Sequence, residues 1–191
     1  MQKIRFVSFW LGQTIIEMLV MLTIVALLSS TLILFNKQTQ GEKELYEEAR
    51  KLVVDLRTAQ DLAFSMQDIN GETPCGYGVE LLPDLTGYEI FVAMPRPGMT
   101  CADVQNGSYI KVPLQGVPAV PEAVFRFSNL ELYSYSSNPI IFVPPYPRTI
   151  FFPSNSTALF QFFNKKVGSG SLIEIQLNKA GQITLQGPTT P

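Results

Sequence analysis

Residues 6–35 read FVSFWLGQTIIEMLVMLTIVALLSSTLILF, thirty positions with one ionisable side chain, Glu17. From Met18 to Phe35 there is no charge, and the only polar interruptions are Thr23, Ser29, Ser30 and Thr31. About twenty apolar residues at 1.5 Å each cross the hydrocarbon of a bilayer, so this run qualifies as a spanning helix. It holds no proline, and its only glycine is Gly12, so a helix can run unbroken from Thr14 outward. Lys3 and Arg5 precede the run, whereas Glu42, Glu44, Glu47 and Glu48 follow it. The positive-inside rule then places Met1 in the cytoplasm and the remainder of the chain outside.

The rest of the composition agrees with a chain that is partly out of water. Of 191 residues, 46% are hydrophobic and only 16% charged, against roughly 25% charged in an ordinary soluble domain. Lys and Arg total 14, Asp and Glu 16, for a net charge of −2. That balance lacks the basic footprint of a general nucleic-acid binder. Histidine is absent, which removes His-dependent triads, His-ligated metal and the commonest general base near neutral pH.

Glu17 is the anomaly in the apolar run. A carboxylate in a bilayer core costs roughly 2.5–3.5 kcal/mol on insertion scales, so an acid there points to function. It sits within Leu11-Gly12-Gln13-Thr14-Ile15-Ile16-Glu17-Met18-Leu19-Val20, the fifth residue after Gly12. A short basic leader, a glycine, an acid at this spacing and a long apolar helix together resemble the type IV prepilin signature. The resemblance implies cleavage between Gly12 and Gln13 by a membrane prepilin peptidase, followed by N-methylation of Gln13. It also implies that Glu17 meets the amino-terminal charge of a neighbouring subunit, since carboxylate and ammonium attract strongly in low dielectric. Two other readings of the same run stand beside it. An ordinary secretory signal would be cut near Ser30 or Thr31, which leaves Leu32 to Phe35 unexplained, and a plain anchor would not be cut.

Beyond a polar stretch at Asn36–Gly41, Leu45, Ala49, Leu52, Leu56, Ala59 and Ala63 recur at intervals of four and three. That is one stripe of an amphipathic helix, and it predicts a helix ending near Asp68, before Asn70-Gly71 and Pro74. The segment Ala49–Ala63 also resembles the corresponding helix of the GspH/FimT group of pseudopilins and minor pilins. After Pro74 the sequence predicts short strands over Tyr77–Leu82, Tyr88–Ala93, Tyr109–Val112, Val124–Phe127, Ile140–Val143, Leu159–Phe163, Leu172–Leu177 and Gln182–Leu185. Asn178-Lys179-Ala180-Gly181 reads as the turn into the last strand. The expected fold class is α+β: a long N-terminal membrane-spanning helix continues into an amphipathic helix packed on an antiparallel β head, the layout that the pilin resemblance implies. The expected divisions are a leader at 1–12, a membrane helix at 13–36, an amphipathic helix at 37–68, a head at 69–186 and a loose tail at 187–191.

Few other residues suggest chemistry. Cys75 and Cys101, the only cysteines, can close a loop in an oxidising compartment or remain two free structural thiols, and spacing alone does not decide. Asp84 and Asp103 are isolated loop acids, and two cysteines without histidine make no zinc site. Glu122, Glu131 and Glu174 read as solvated surface in preference to paired catalytic carboxylates. The dense aromatics of the second half, Tyr133, Tyr135, Phe142, Tyr146, Phe151, Phe152, Phe160, Phe162 and Phe163, read mainly as core, although such surfaces also stack sugars or bases. Phe142–Pro147 reads as an extended connection. Some FimT-type minor pilins bind DNA through basic residues near the C-terminus, but only Lys165, Lys166 and Lys179 stand there in this chain, so nucleic acid is not an expected partner. The expectation is a structural subunit and not an enzyme, without cofactor or metal. Its implied partners are other pilin or pseudopilin subunits, the peptidase and an inner-membrane assembly platform. A single-pass anchored ligand-binding module is the alternative.

Overall fold

A computed structural model describes residues 15–66, 68–69, 71–104, 106–114, 124–144, 148–153, 155–164 and 168–189. The chain divides into two compact units, Met1–Gln40 and Gly41–Pro191.

Helix α1 covers Ile15–Ser65 without interruption, so the polar stretch Asn36–Gly41 is helical and not a break. In the first unit its Ile15–Ile33 portion is long and apolar enough to cross a membrane, and none of it is buried. Nineteen residues at 1.5 Å each span about 28 Å, close to the thickness of a hydrocarbon core. The hydroxyls inside this stretch donate back to the helix: Thr23 to the Val20 carbonyl, Ser30 to Leu27 and Thr31 to Leu28, each at 2.8 Å. Back-bonding of this kind satisfies these three donors within the helix itself.

In the second unit the sequence stripe becomes the inner face of α1. Leu45, Ala49, Leu52, Leu56, Ala59 and Ala63 are all buried, joined by Val53 and Leu62. The helix stops at Ser65, three residues before the expected Asp68, because Met66 takes a left-handed φ of 46°, a conformation that ends a helix. Gly71, at φ 82°, then turns the chain toward the sheets.

Among the described residues ten strands follow: β1 Gly76–Leu81, β2 Gly87–Pro95, β3 Tyr109–Pro113, β4 Val124–Arg126, β5 Leu130–Tyr135, β6 Ile140–Val143, β7 Arg148–Phe151, β8 Thr157–Asn164, β9 Gly168–Asn178 and β10 Ile183–Thr189. A four-residue helix α2, Cys101–Val104, lies in the excursion between β2 and β3. One sheet runs β3-β2-β1-β6-β7 with β4 also on β2, and a second runs β10-β9-β8-β5; every named pairing is antiparallel. The α+β class therefore stands, with helix and sheet segregated along the chain. Strands β5 and β7 lie outside the eight expected segments. Strand β10 carries the backbone to Thr189, so Gly187–Thr189 is not the loose tail expected of it.

Two cores result. The larger joins the inner stripe of α1 to both sheets, with Tyr77, Val79, Ile90, Val92, Ile140 and Phe142 from the first and Phe160, Phe162, Ile173 and Ile175 from the second. A smaller core lies on the other side of the first sheet, around Phe91, Ala93, Val104, Ile141 and Val143, with Tyr109, Ile150 and Phe152 against it. The first sheet is thus buried on both faces, which explains the near-continuous burial of β1, β2 and β6. Alternation survives where one face is open: in β8, Ala158, Phe160, Phe162 and Asn164 point inward and their neighbours are half-buried.

The sheet margins carry marks of their own. Edge strand β3 contains Lys111 and Pro113; β5 and β10 each have a register shift, at Leu132/Ser134 and at Gln186/Thr189, and Pro188 lies within β10.

Candidate functional site

Glu17 lies at the third described residue of α1, flanked by Ile15, Ile16, Met18 and Leu19, all exposed. Gly12 and Gln13, the expected processing positions, lie outside the described residues. The chemistry of this end of the molecule therefore rests on the apolar helix and its single carboxylate.

In the second unit, Cys75 and Cys101 form a disulfide with Cα atoms 5.0 Å apart. Antiparallel pairing of β1 with β2 brings this about: Gly76 stands opposite Ala93, and the Cys75 amide donates to the Ala93 carbonyl at 2.9 Å. Cys75 is therefore held beside the point where β2 leaves the sheet. Cys101 comes back from the excursion at the start of α2, whose Val104 enters the smaller core. Cys75 is 1% exposed, whereas Cys101 is exposed. Asp103 accepts from the Thr100 amide at 2.8 Å and the Thr100 hydroxyl at 2.9 Å, and these bonds hold its carboxyl below the usual carboxylate range.

An open groove of about 780 Å³ adjoins this excursion. Ile69 and Thr73, from the segment after α1, line one side, and Met94, Met99, Ile110 and Val112 line another, with Arg96 and Glu72 at hand. Met99 and Ile110 are substantially exposed.

Three polar clusters among the described residues add to the electrostatics. The Tyr88 hydroxyl, almost fully buried, donates to Asp55 Oδ2 on α1. Burial pushes the Asp55 carboxyl above its ordinary range, opposed by the Tyr88 hydrogen bond and the nearby Lys51 charge. Burial also raises the Tyr88 phenol, with the Asp55 hydrogen bond and charge adding to it. Glu48, about two turns earlier on α1, accepts from the amides of Asn129 and Leu130 at 3.1–3.2 Å and so anchors the start of β5. Glu80 and Glu89 face each other across β1 and β2, and Lys111 bridges them, its Nζ 2.7 Å from Glu80 and also in contact with Glu89. Cross-strand like charges are destabilising, and the shared ammonium offsets that.

The remaining sequence candidates separate. Asp84 accepts from the Thr86 amide at 3.1 Å and from Arg126 Nη1 at 3.3 Å in an exposed turn. Glu131 and Glu174 belong to strands on opposite sides of β8, and Glu174 accepts from Gln161 Nε2 at 3.0 Å. Glu122, Tyr146, Lys165 and Lys166 lie outside the described residues. Phe142, Phe151, Phe160 and Phe162 fill core, whereas Tyr133 is 67% exposed with its ring edge-on to Phe163 at 6.4 Å. Among the described residues no group of three or more His, Cys, Asp or Glu side chains could hold a metal ion. Sequence reasoning missed the Asp55–Tyr88 contact, the Glu80–Lys111–Glu89 bridge and the groove, because each joins segments that only the strand pairing brings together. Comparison with protein-family models, with curated proteins and with solved structures finds no match to this chain.

Proposed function

We propose that this chain is a prepilin-like structural subunit, a minor pilin of a type IV pilus or a pseudopilin of a type II secretion-like filament. The observation behind this reading is the single helix α1. Its first part is a fully exposed apolar span carrying one carboxylate, and its later part is the spine of a β-rich core. A span of that kind stores the subunit in a membrane until it can pack against its own kind. In this reading prepilin peptidase cuts between Gly12 and Gln13 on the cytoplasmic side, Gln13 is methylated, and the new ammonium pairs with Glu17 of a neighbour. The subunit starts in the inner membrane with its N-terminus inside and its head outside, and an assembly platform draws it into the filament. Its role is mechanical, and it is the substrate of an enzyme, not an enzyme itself.

Intact mass and N-terminal sequencing of the protein from membranes of cells with prepilin peptidase test this. A start at Gln13 is expected, and a start near Thr31 overturns it in favour of a secretory signal. Glu17→Ala is the companion test: filament incorporation is lost while membrane insertion, relieved of about 2.5–3.5 kcal/mol, persists. Unchanged incorporation sinks the filament reading.

The groove beside β3 favours a second reading, a single-pass anchored module whose head binds a ligand. Under it the leader stays attached and Glu17→Ala changes nothing in ligand binding.

A further inference from the structure

The Cys75–Cys101 bond joins a buried sulfur-bearing residue to an exposed one, and the two halves of that asymmetry do different work. Cys75 is fixed to the sheet through its amide on Ala93 and is covered by the smaller core. Cys101 lies at the outer end of α2, and the turn around it is short-range: Asp103 N donates to the Thr100 carbonyl, and Gly107 N to that of Val104, each at 3.0 Å. The disulfide and Val104 tie this excursion to the face of Phe91 and Ile141, and Gly107 lies close against the ring of Phe152 at its margin. The same excursion supplies Arg96 and Met99 to the groove.

We propose that Cys101 is the thiol–disulfide exchange site of this chain, and that opening the bond there releases the β2–β3 excursion, removing one wall of the groove and uncovering the smaller core. Exchange needs a thiolate to approach a sulfur along the S–S axis, and access decides which sulfur is attacked. The attacking thiolate forms a new S–S bond to Cys101 Sγ. The Cys75–Cys101 bond breaks, and its electron pair leaves on Cys75 Sγ, which takes a proton from solvent. A second thiol of the external reductant then attacks the mixed disulfide, frees Cys101 as thiolate and leaves the reductant oxidised. The reverse sequence, with a disulfide-donating oxidant as co-reactant, closes the clasp through the same adduct on Cys101. The groove is then complete only in chains that have met such an oxidant, which excludes chains still in a reducing compartment. This holds whether the chain assembles into a filament or acts as an anchored module.

The test uses the full chain in detergent micelles, exposed briefly to glutathione, quenched with iodoacetamide and mapped by peptide mass spectrometry. The glutathione adduct is expected on Cys101 and the alkyl group on Cys75, with Cys101 favoured at least ~10-fold. An adduct on Cys75, an even split or no adduct overturns the assignment. The second arm reduces the chain with dithiothreitol and follows amide hydrogen exchange. The amides of Asp103, Asn106, Gly107 and Ser108 are expected to exchange at least ~10-fold faster and well ahead of those of Phe160 and Ile175, which lose only the global stability that the bond supplied. Unchanged exchange in the excursion, or excursion amides that exchange no faster than those of Phe160 and Ile175, overturns the clasp.

Discussion

Gly78 gives the sharpest test of the two-sided packing of the first sheet. It lies in β1 on the side of the smaller core, and a Cβ built there would be 2.5 Å from Phe91 Cζ, 2.8 Å from Phe91 Cε1 and 2.8 Å from the Ile140 carbonyl oxygen. Ordinary contacts between such atoms are about 3.5–4.0 Å, so Gly78→Ala forces an overlap of roughly 1 Å onto a ring with no room to retreat. Phe91 is fully buried and stacked on Tyr109, centroids 5.9 Å apart. Overpacking of this sort costs about 1–3 kcal/mol, while loss of glycine's freedom in the unfolded chain returns about 0.4–1 kcal/mol. The net is a destabilisation of about 1–2 kcal/mol, or about 2–8 °C in melting temperature for a unit of this size. The assay is a near-UV circular dichroism melt of the detergent-solubilised chain, which reports the tyrosine-rich head, repeated in a Phe91→Leu background. Leucine lacks both offending ring atoms but leaves the Ile140 carbonyl in place, so at least about half of the alanine penalty should vanish there. A penalty of equal size in both backgrounds, or none in either, would refute the packing described for this face.

Three further outcomes follow from the same contacts. Replacing both Cys75 and Cys101 by Ser opens a loop with a sequence separation of 26 and should cost about 3.5 kcal/mol by loop entropy, read as a lower urea midpoint, with a slope that does not fall because the unfolded chain is less constrained. Asp55 has its folded pKa raised by burial, so its ionised form burdens the fold above that pKa, and the burden fades as pH falls through it toward the unfolded value of 3.8. Asp55→Asn should therefore be at least as stable as the parent at pH 7, with the gap closing near pH 4; a gap constant with pH in thermal melts contradicts this. Thr149 is buried in β7 and its hydroxyl has no hydrogen-bond partner among the described residues, so Thr149→Val should stabilise by about 1 kcal/mol in the same melts.

The helix was legible because its signal is local. The stripe from Leu45 to Ala63 is a period written in one segment, and its six members are all buried. Eight strands were legible from runs such as Ile173-Glu174-Ile175-Gln176-Leu177, whose alternation matches the burial of β9. Strand β5 was missed although Leu130, Glu131, Leu132 and Tyr133 alternate, because Tyr133 and Tyr135 read as part of an aromatic cluster. Strand β7 is four residues between Pro147 and Pro153, and its strand character comes from pairing with β6. Continuity of α1 through Asn36–Gly41 agrees with the expectation that the apolar helix continues into the amphipathic one, although polar residues and a glycine stand there. Glu17 stands out in sequence because charge is absent around it. The contact of Cys75 with Cys101 depends on which strand lies beside β1, and no spacing rule contains that.

The margins of the two sheets bear on what happens when many copies share a small area. A protein held by one end at a surface meets its neighbours at far higher effective concentration than the same protein free in solution. Under those conditions a bare strand edge invites main-chain pairing with the next copy. Lysine and proline in β3, and the offset registers of β5 and β10, deny that invitation at three margins. At those three margins, heads brought to close quarters are kept from pairing main chain to main chain, and order among neighbours there is left for side chains to set.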